Sequence, residues 1–247
     1  MKRLRGKKAT RVISYLRAKY MVGDILKTID LKAFEPYQKK YHDADPRPHG
    51  YSKYLDIEPW MVNKLMVVLD LGLDKCKPMR ILDIGTGAGY FPFICQYFGH
   101  EVVSLDLDII PMYNDVCQFL KVDRRTWRVE KYQKLPDLGM KFDLVTAFMI
   151  KFNNHYQPDL WSKPEWKFFV EDLRANQMNP NGRIFLSFNQ NLDGSFMDDE
   201  LRAYFTSLQA RIWQHEVDIG GPKPSAILEF IDRLSGANRP DANPGPA

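Results

Sequence analysis

Arg80-Ile81-Leu82-Asp83-Ile84-Gly85-Thr86-Gly87-Ala88-Gly89-Tyr90 decides the fold of this chain. A short apolar run carries an acid near its end, turns through three alternating glycines and enters a helix-like segment. Glycine allows a tight turn and close approach of the backbone to a ligand. The free amides at the start of the following helix can receive a polar group. The spacing is G-x-G-x-G, and Tyr90 stands where a dinucleotide fingerprint carries its third glycine. Asp83, two residues before Gly85, would repel a pyrophosphate at short range. It would attract a ligand bearing an ammonium and a sulfonium.

A second acid follows. Gly99 to Asp106 reads as a short strand ending in a carboxylate, and Asp106 falls 21 residues after Gly85. A βαβ unit places at about this distance the acid that holds both hydroxyls of a ribose. Together these residues resemble the class I S-adenosylmethionine (SAM)-dependent methyltransferases. The resemblance spans about residues 55 to 235 and is strongest over 80 to 108. It implies a Rossmann-like α/β fold: a mostly parallel seven-stranded sheet, helices on both faces and an N-terminal helical or lid extension. It implies that Asp83 and the loop Gly85, Thr86, Gly87, Gly89 and Tyr90 hold the methionine part of SAM. Asp106 would take the ribose and Leu107 would pack on the adenine. S-adenosylhomocysteine would be the product. NAD binding, with an oxidoreductase activity, shares the turn and the ribose acid and remains an alternative. So does a Gly-rich turn with no ligand.

Alternating strand and helix patterns imply parallel strands covered on both faces. Residues 59–73 show helical apolar spacing. Strands are expected at about 79–84, 101–105, 126–130, 142–148 and 183–188. Late runs at 211–219 and 225–231, parted by Gly220-Gly221-Pro222, suggest a hairpin. Ser162-Lys163-Pro164-Glu165 is a helix start with a capping box, and that helix should run to about Met178. Asn179-Pro180-Asn181-Gly182 is a turn by composition. A helix is expected over 198–208.

Ligands of such sheets bind at the carboxyl ends of the strands. That gathers Ile84–Tyr90, Asp106, the residues after strand 3 and the segment from Phe148 to His155. In many relatives an acid at the end of strand 3 meets the adenine; here simple alignment places Lys131 there, with Glu130 as a substitute. His155 and His49 are candidate proton acceptors, because imidazole titrates near neutrality. A structural or surface role is the alternative for each. Tyr51, with Lys53 and Tyr54, lies in a proline-broken, aromatic segment that could lid the cofactor and touch its carboxylate or the acceptor. No Asn/Asp-Pro-Pro-Tyr/Phe motif follows strand 4, which argues against exocyclic nucleobase amines. No metal site is expected, since His42, Asp43 and Asp45 have no further ligand at suitable spacing.

The chain suits a basic arm and lid over 1–54, a cofactor-binding domain over 55–234 and a disordered tail over 235–247. The first twenty residues hold eight Lys and Arg and no acid, so the rest is slightly acidic despite a net charge of +4. The arm is expected to be solvated and partly disordered, with nucleic-acid or membrane-surface docking as the alternative. Three cysteines without a C-x-x-C point to a reducing, cytoplasmic setting, and no apolar run is long enough to span a membrane. The expected activity is transfer of a methyl group from SAM to an oxygen or nitrogen of a small molecule or saccharide. Alternatives are an RNA or protein acceptor reached through the arm, and SAM binding without catalysis.

Overall fold

The computed structural model describes residues 4–45, 50–150, 152 and 160–220, with side chains from residue 11. His49, His155, the run 225–231 and the tail 235–247 lie outside the described residues. The elements in chain order are α1 (Leu4–Leu26), α2 (Leu31–Ala44), α3 (Ile57–Leu71), β1 (Arg80–Ile84), α4 (Tyr90–Tyr97), β2 (Glu101–Asp106) and α5 (Pro111–Phe119). They continue with β3 (Asp123–Thr126), β4 (Phe142–Phe148), α6 (Lys163–Asp172), β5 (Met178–Ser187), α7 (Asp199–Ser207), β6 (Arg211–Trp213) and β7 (Glu216–Ile219).

The seven strands form one sheet in the order β3-β2-β1-β4-β5-β7-β6. β1 to β5 are parallel, while β7 runs antiparallel to β5 and to β6. Side chains alternate between faces along a strand. Ile81 and Val102 accordingly join one core with α1, α3, α4 and α5. Leu82 and Val103 join a second core with α6 and α7. Burial on both faces explains why β1 and β4 read as near-continuous apolar runs.

The basic start is not a solvated arm over the described side chains. Ala18, Val22 and Ile25 recur on one stripe of α1 and are buried in the core shared with α3. Ser14 Oγ donates to Asp70 at 2.6 Å, and Arg17 pairs with Asp74 at 2.6 Å. Lys19 pairs with Glu58. Part of the positive charge that suggested docking is thus spent on fixing α1 to its neighbours.

Three further differences concern boundaries. β3 ends at Thr126 instead of beginning there, because it is a four-residue sheet-edge strand without an apolar pattern. α6 gives way at Leu173 to a π-helical turn ending at Gln177. The chain is already paired with β4 at Met178, so Asn179–Gly182 form an excursion inside β5: Phe142 pairs with Met178, but Leu144 pairs with Arg183. Gly182 folds back there so closely that a Cβ would lie 2.6 Å from Met178 Cε. The late hairpin turns at Gln214-His215, within the first of the two expected runs. The capping box of α6 is present: the Ser162 N–H donates to Glu165 Oε2 at 2.9 Å.

Arg183 ties this edge together. Its guanidinium forks onto Asp218 at 2.8 and 3.0 Å and reaches Leu71 O at the end of α3 at 3.1 Å. Asp218 is buried and also accepts from Arg211. Removing one partner of a buried ion pair leaves the other charge poorly solvated. Arg183→Met should therefore lower stability by about 2–3 kcal/mol in urea unfolding, with Arg211 retaining part of the pairing.

Candidate active site

The glycine loop is built by backbone geometry. Gly85, Gly87 and Gly89 have φ of 76°, 57° and 76°, a region that side chains with a Cβ adopt only at a cost. Two of these positions are closed to any side chain as well. A Cβ at Gly85 would lie 2.7 Å from Ile150 Cγ2, and one at Gly89 would lie 2.8 Å from Cys117 Sγ. At Gly87 the space is open as far as the Tyr113 ring, 3.8 Å away. The Gly85 N–H donates to Leu105 O at 2.8 Å, which locks the loop to the end of β2.

Asp106 completes that lock. Its Oδ2 accepts from the Gly87 N–H and its Oδ1 from the Leu107 N–H, both at 2.7 Å. Asp83 is different. It is 1% exposed and accepts from Thr146 Oγ1 at 2.7 Å. Burial pushes its carboxyl pKa upward, opposed by the Thr146 hydrogen bond and by the charge of Lys64. Thr86 Oγ1 is buried in the loop without a hydrogen-bond partner, yet its hydroxyl lies near enough to Asp83 to favour the charged form. A buried acid and an orphaned hydroxyl beside an open glycine fit a polar, cationic ligand group.

The segment Tyr51–Leu55 forms a 3-10 turn over this loop. The Tyr90 hydroxyl donates to Tyr54 O at 2.5 Å, and Trp60 Nε1 donates to Lys53 O at 2.8 Å. The Tyr54 ring lies 4.4 Å from Trp60. Tyr51 and Tyr54 both stand edge-on to Tyr113 of α5, at 5.9 and 5.7 Å. Tyr113 is mostly buried, which raises its phenol pKa. Sequence reading singled out Tyr51 and Tyr54 but missed Tyr113. Its one available signal was an aromatic a few residues beyond Asp106.

Phe148, the last residue of β4, lies 4.9 Å from Phe91 and carries the Lys64 ammonium 4.7 Å above its ring. Lys64 was also missed, since one lysine in a helix pattern carries no signal of burial. Glu130 and Lys131 are not at the end of β3. That strand stops at Thr126, and Trp127 instead follows it, donating its N–H to Asp106 O at 2.9 Å. Glu130 is exposed in the loop beyond. Past the ends of β4 and β5, a cavity of about 500 Å³ is lined by Trp161, Trp166, Phe188, Asp193, Asp198 and Asp199, among others. The Trp166 indole N–H is buried without a partner.

The sheet order, the reversed β7 and the glycine loop define the fold of the class I SAM-dependent methyltransferases. The model of the family protein-L-isoaspartate(D-aspartate) O-methyltransferase (PCMT) matches residues 7–132. The chain belongs to this family. It is 29% identical over 72 residues to protein-L-isoaspartate O-methyltransferase of Alkalilimnicola ehrlichii, covering 29% of this chain and 31% of that one. The match thus spans about a third of the relative's length. Among solved structures, Streptomyces venezuelae DesVI is similar with 12% identity and a TM-score of 0.46, over 64% of this chain and 90% of that one. The PH0226 protein of Pyrococcus horikoshii is similar with 16% identity and a TM-score of 0.42, over 79% and 88%. Family membership removes the nicotinamide alternative.

Asp83→Asn is the informative substitution at this site. A carboxyl whose native pKa exceeds its unfolded value stabilises the fold while protonated at low pH. That contribution is lost as pH rises through the native pKa. Asparagine keeps the acceptor for Thr146 without the buried charge. Asp83→Asn should therefore match or exceed the wild type in thermal stability at pH 7. It should weaken S-adenosylhomocysteine binding by about tenfold or more in calorimetry. Equal affinity would remove Asp83 from the cofactor site.

Proposed function

We propose that this chain transfers the methyl group of SAM to a carboxylate oxygen of an isoaspartyl residue in a protein or peptide. The observation that carries the reading is the family match, which covers α1 through β3 and with it the whole glycine loop and Asp106. SAM supplies an electrophilic methyl group on a sulfonium that leaves as a neutral thioether. Asp83 and Thr86 would take the ammonium of its methionine part, and Gly87 would admit that part close to the backbone. Asp106 would take the ribose. The residues of the chain then contribute position and exclusion of water.

A carboxylate acceptor simplifies the site. Its unperturbed pKa lies near 4, so it is already anionic at neutral pH and requires no general base. A hydroxyl acceptor would require one, and His155 and His49 would then be its candidates.

One observation favours the second reading, a neutral or cationic small molecule or saccharide. The described lining of the cavity beyond β4 and β5 includes Asp193, Asp198 and Asp199 and no Lys or Arg. A carboxylate placed there would meet repulsion. The family match ends before β4, so it does not reach this region.

Methyl-labelled SAM separates the two. Incubation with an isoaspartyl peptide should give a base-labile methyl ester, absent from the matching aspartyl peptide. His155→Ala should leave that rate unchanged. Label entering only neutral or amine-bearing small molecules would favour the second reading. A loss of about 10²–10⁴-fold on His155→Ala would do so too, by signalling a base-dependent acceptor.

A further inference from the structure

The helix α1 carries apolar residues on two opposite faces. One face, Ala18, Val22 and Ile25, is buried in the core shared with α3. The other holds Val12, Leu16 and Tyr20 at intervals of four, with Ile13 beside them. Side chains so spaced share one side of a helix. Val12, Ile13, Leu16 and Tyr20 are 57%, 58%, 61% and 86% exposed. No other stretch of the described residues exposes large apolar side chains so densely. Single apolar residues on a surface are ordinary, but a continuous row marks a docking face.

The same row follows a cationic stretch. Lys2, Arg3, Arg5, Lys7, Lys8 and Arg11 precede it, and the first acid of the chain is Asp24, which pairs with Lys27 at 2.7 Å. Arg17 and Lys19, on the flanks of the row, pair with Asp74 and Glu58. A partner that fits this face must accept apolar side chains and supply negative charge together. Nucleic acid would use the cations and leave the row in water. A second copy of the chain would cover the row, but its own α1 brings the same cations and no acid before Asp24. An anionic lipid surface meets both demands, with the acyl boundary for the row and charged headgroups for the cations. No described helix is long and apolar enough to cross a bilayer, so α1 would lie along the surface.

We propose that the outer face of α1 docks this protein on an anionic membrane surface, with Val12, Ile13, Leu16 and Tyr20 inserted among the headgroups and the basic start held by their charge. The docking face lies opposite the stripe that α1 turns to the core, so docking requires no rearrangement of the fold. The row spans about 12 Å along the helix. Four side chains over that length bind weakly by apolar burial alone, so attachment requires the charge as well. Docking is therefore reversible, selective for anionic lipid and weakened by salt. It does not depend on which group accepts the methyl.

Vesicle flotation of the full chain tests this. The wild type should partition onto vesicles of mixed phosphatidylserine and phosphatidylcholine about tenfold more strongly than onto phosphatidylcholine alone, and raised salt should reduce the difference. Leu16→Ser combined with Tyr20→Ser should lower partition onto the mixed vesicles by about tenfold. Its melting temperature should stay near that of the wild type, since both side chains are exposed. Lys7→Gln, Lys8→Gln and Arg11→Gln together leave the row intact and should lower partition by a similar factor; this variant carries the test should the first fail to fold. Absence of wild-type flotation on the mixed vesicles would overturn the proposal. Equal partition onto both vesicle types, or full partition by both variants, would do the same. A wild type that stays off vesicles and forms a dimer in light scattering, lost in the Leu16→Ser and Tyr20→Ser protein, would assign the face to a second copy instead.

Discussion

One carboxylate holds the working end of this molecule together. Asp106 closes β2 and accepts from the Gly87 and Leu107 amides, so the glycine loop and the end of β2 form one unit. The loop takes its path because its three glycines sit at positive φ, and two of them leave no room for a Cβ. From that path follows the start of α4 at Tyr90, and from Tyr90 the hydrogen bond that draws the Tyr51–Leu55 turn over the cleft. A carboxylate has about four acceptor sites, and two are used here. Asp106 can therefore brace the loop and still receive hydroxyl groups of a bound ribose.

The electrostatics of the cleft differ from those of the rest of the protein. Elsewhere, opposite charges pair directly, as at Arg17–Asp74 and Arg183–Asp218. At the glycine loop, among the described residues, Asp83 is buried and accepts from Thr146 alone, and Thr86 Oγ1 has no partner. Such unmet demands are unfavourable for the fold and are relieved by a ligand that meets them. Another unmet donor, the indole of Trp166, lies on the wall of the cavity past β4 and β5. The glycine loop and this cavity thus lie on different parts of the sheet. The family resemblance covers the first and stops before the second.

Much of the cofactor half was legible in the sequence, because strict constraints leave strict patterns. Three glycines at alternate positions are needed where φ is positive. An acid 21 residues on is needed where β2 ends. The doubly buried strands β1 and β4 show as apolar runs for the same reason. β3 did not, because Asp123-Arg124-Arg125-Thr126 at the sheet edge needs no apolar alternation. The docking of α1 was hidden by its charges: the stripe Ala18, Val22, Ile25 is narrow, and Arg17 and Lys19 pair with acids some 40 to 60 residues away. The hairpin at Gln214-His215 was missed because it turns without glycine, with Gln214 itself at φ 48°. Lys64 and Tyr113 gained their place from tertiary packing alone, which no local pattern records.

The central claim is that the Gly85–Gly89 loop and Asp106 form a SAM site. The most direct test is calorimetric titration of S-adenosylhomocysteine into the wild-type protein and into Asp106→Ala, with NAD as the control ligand. The account predicts micromolar binding to the wild type, a large loss in Asp106→Ala without unfolding, and no heat from NAD. Equal binding by both proteins, or binding of NAD in place of the homocysteine compound, would contradict it.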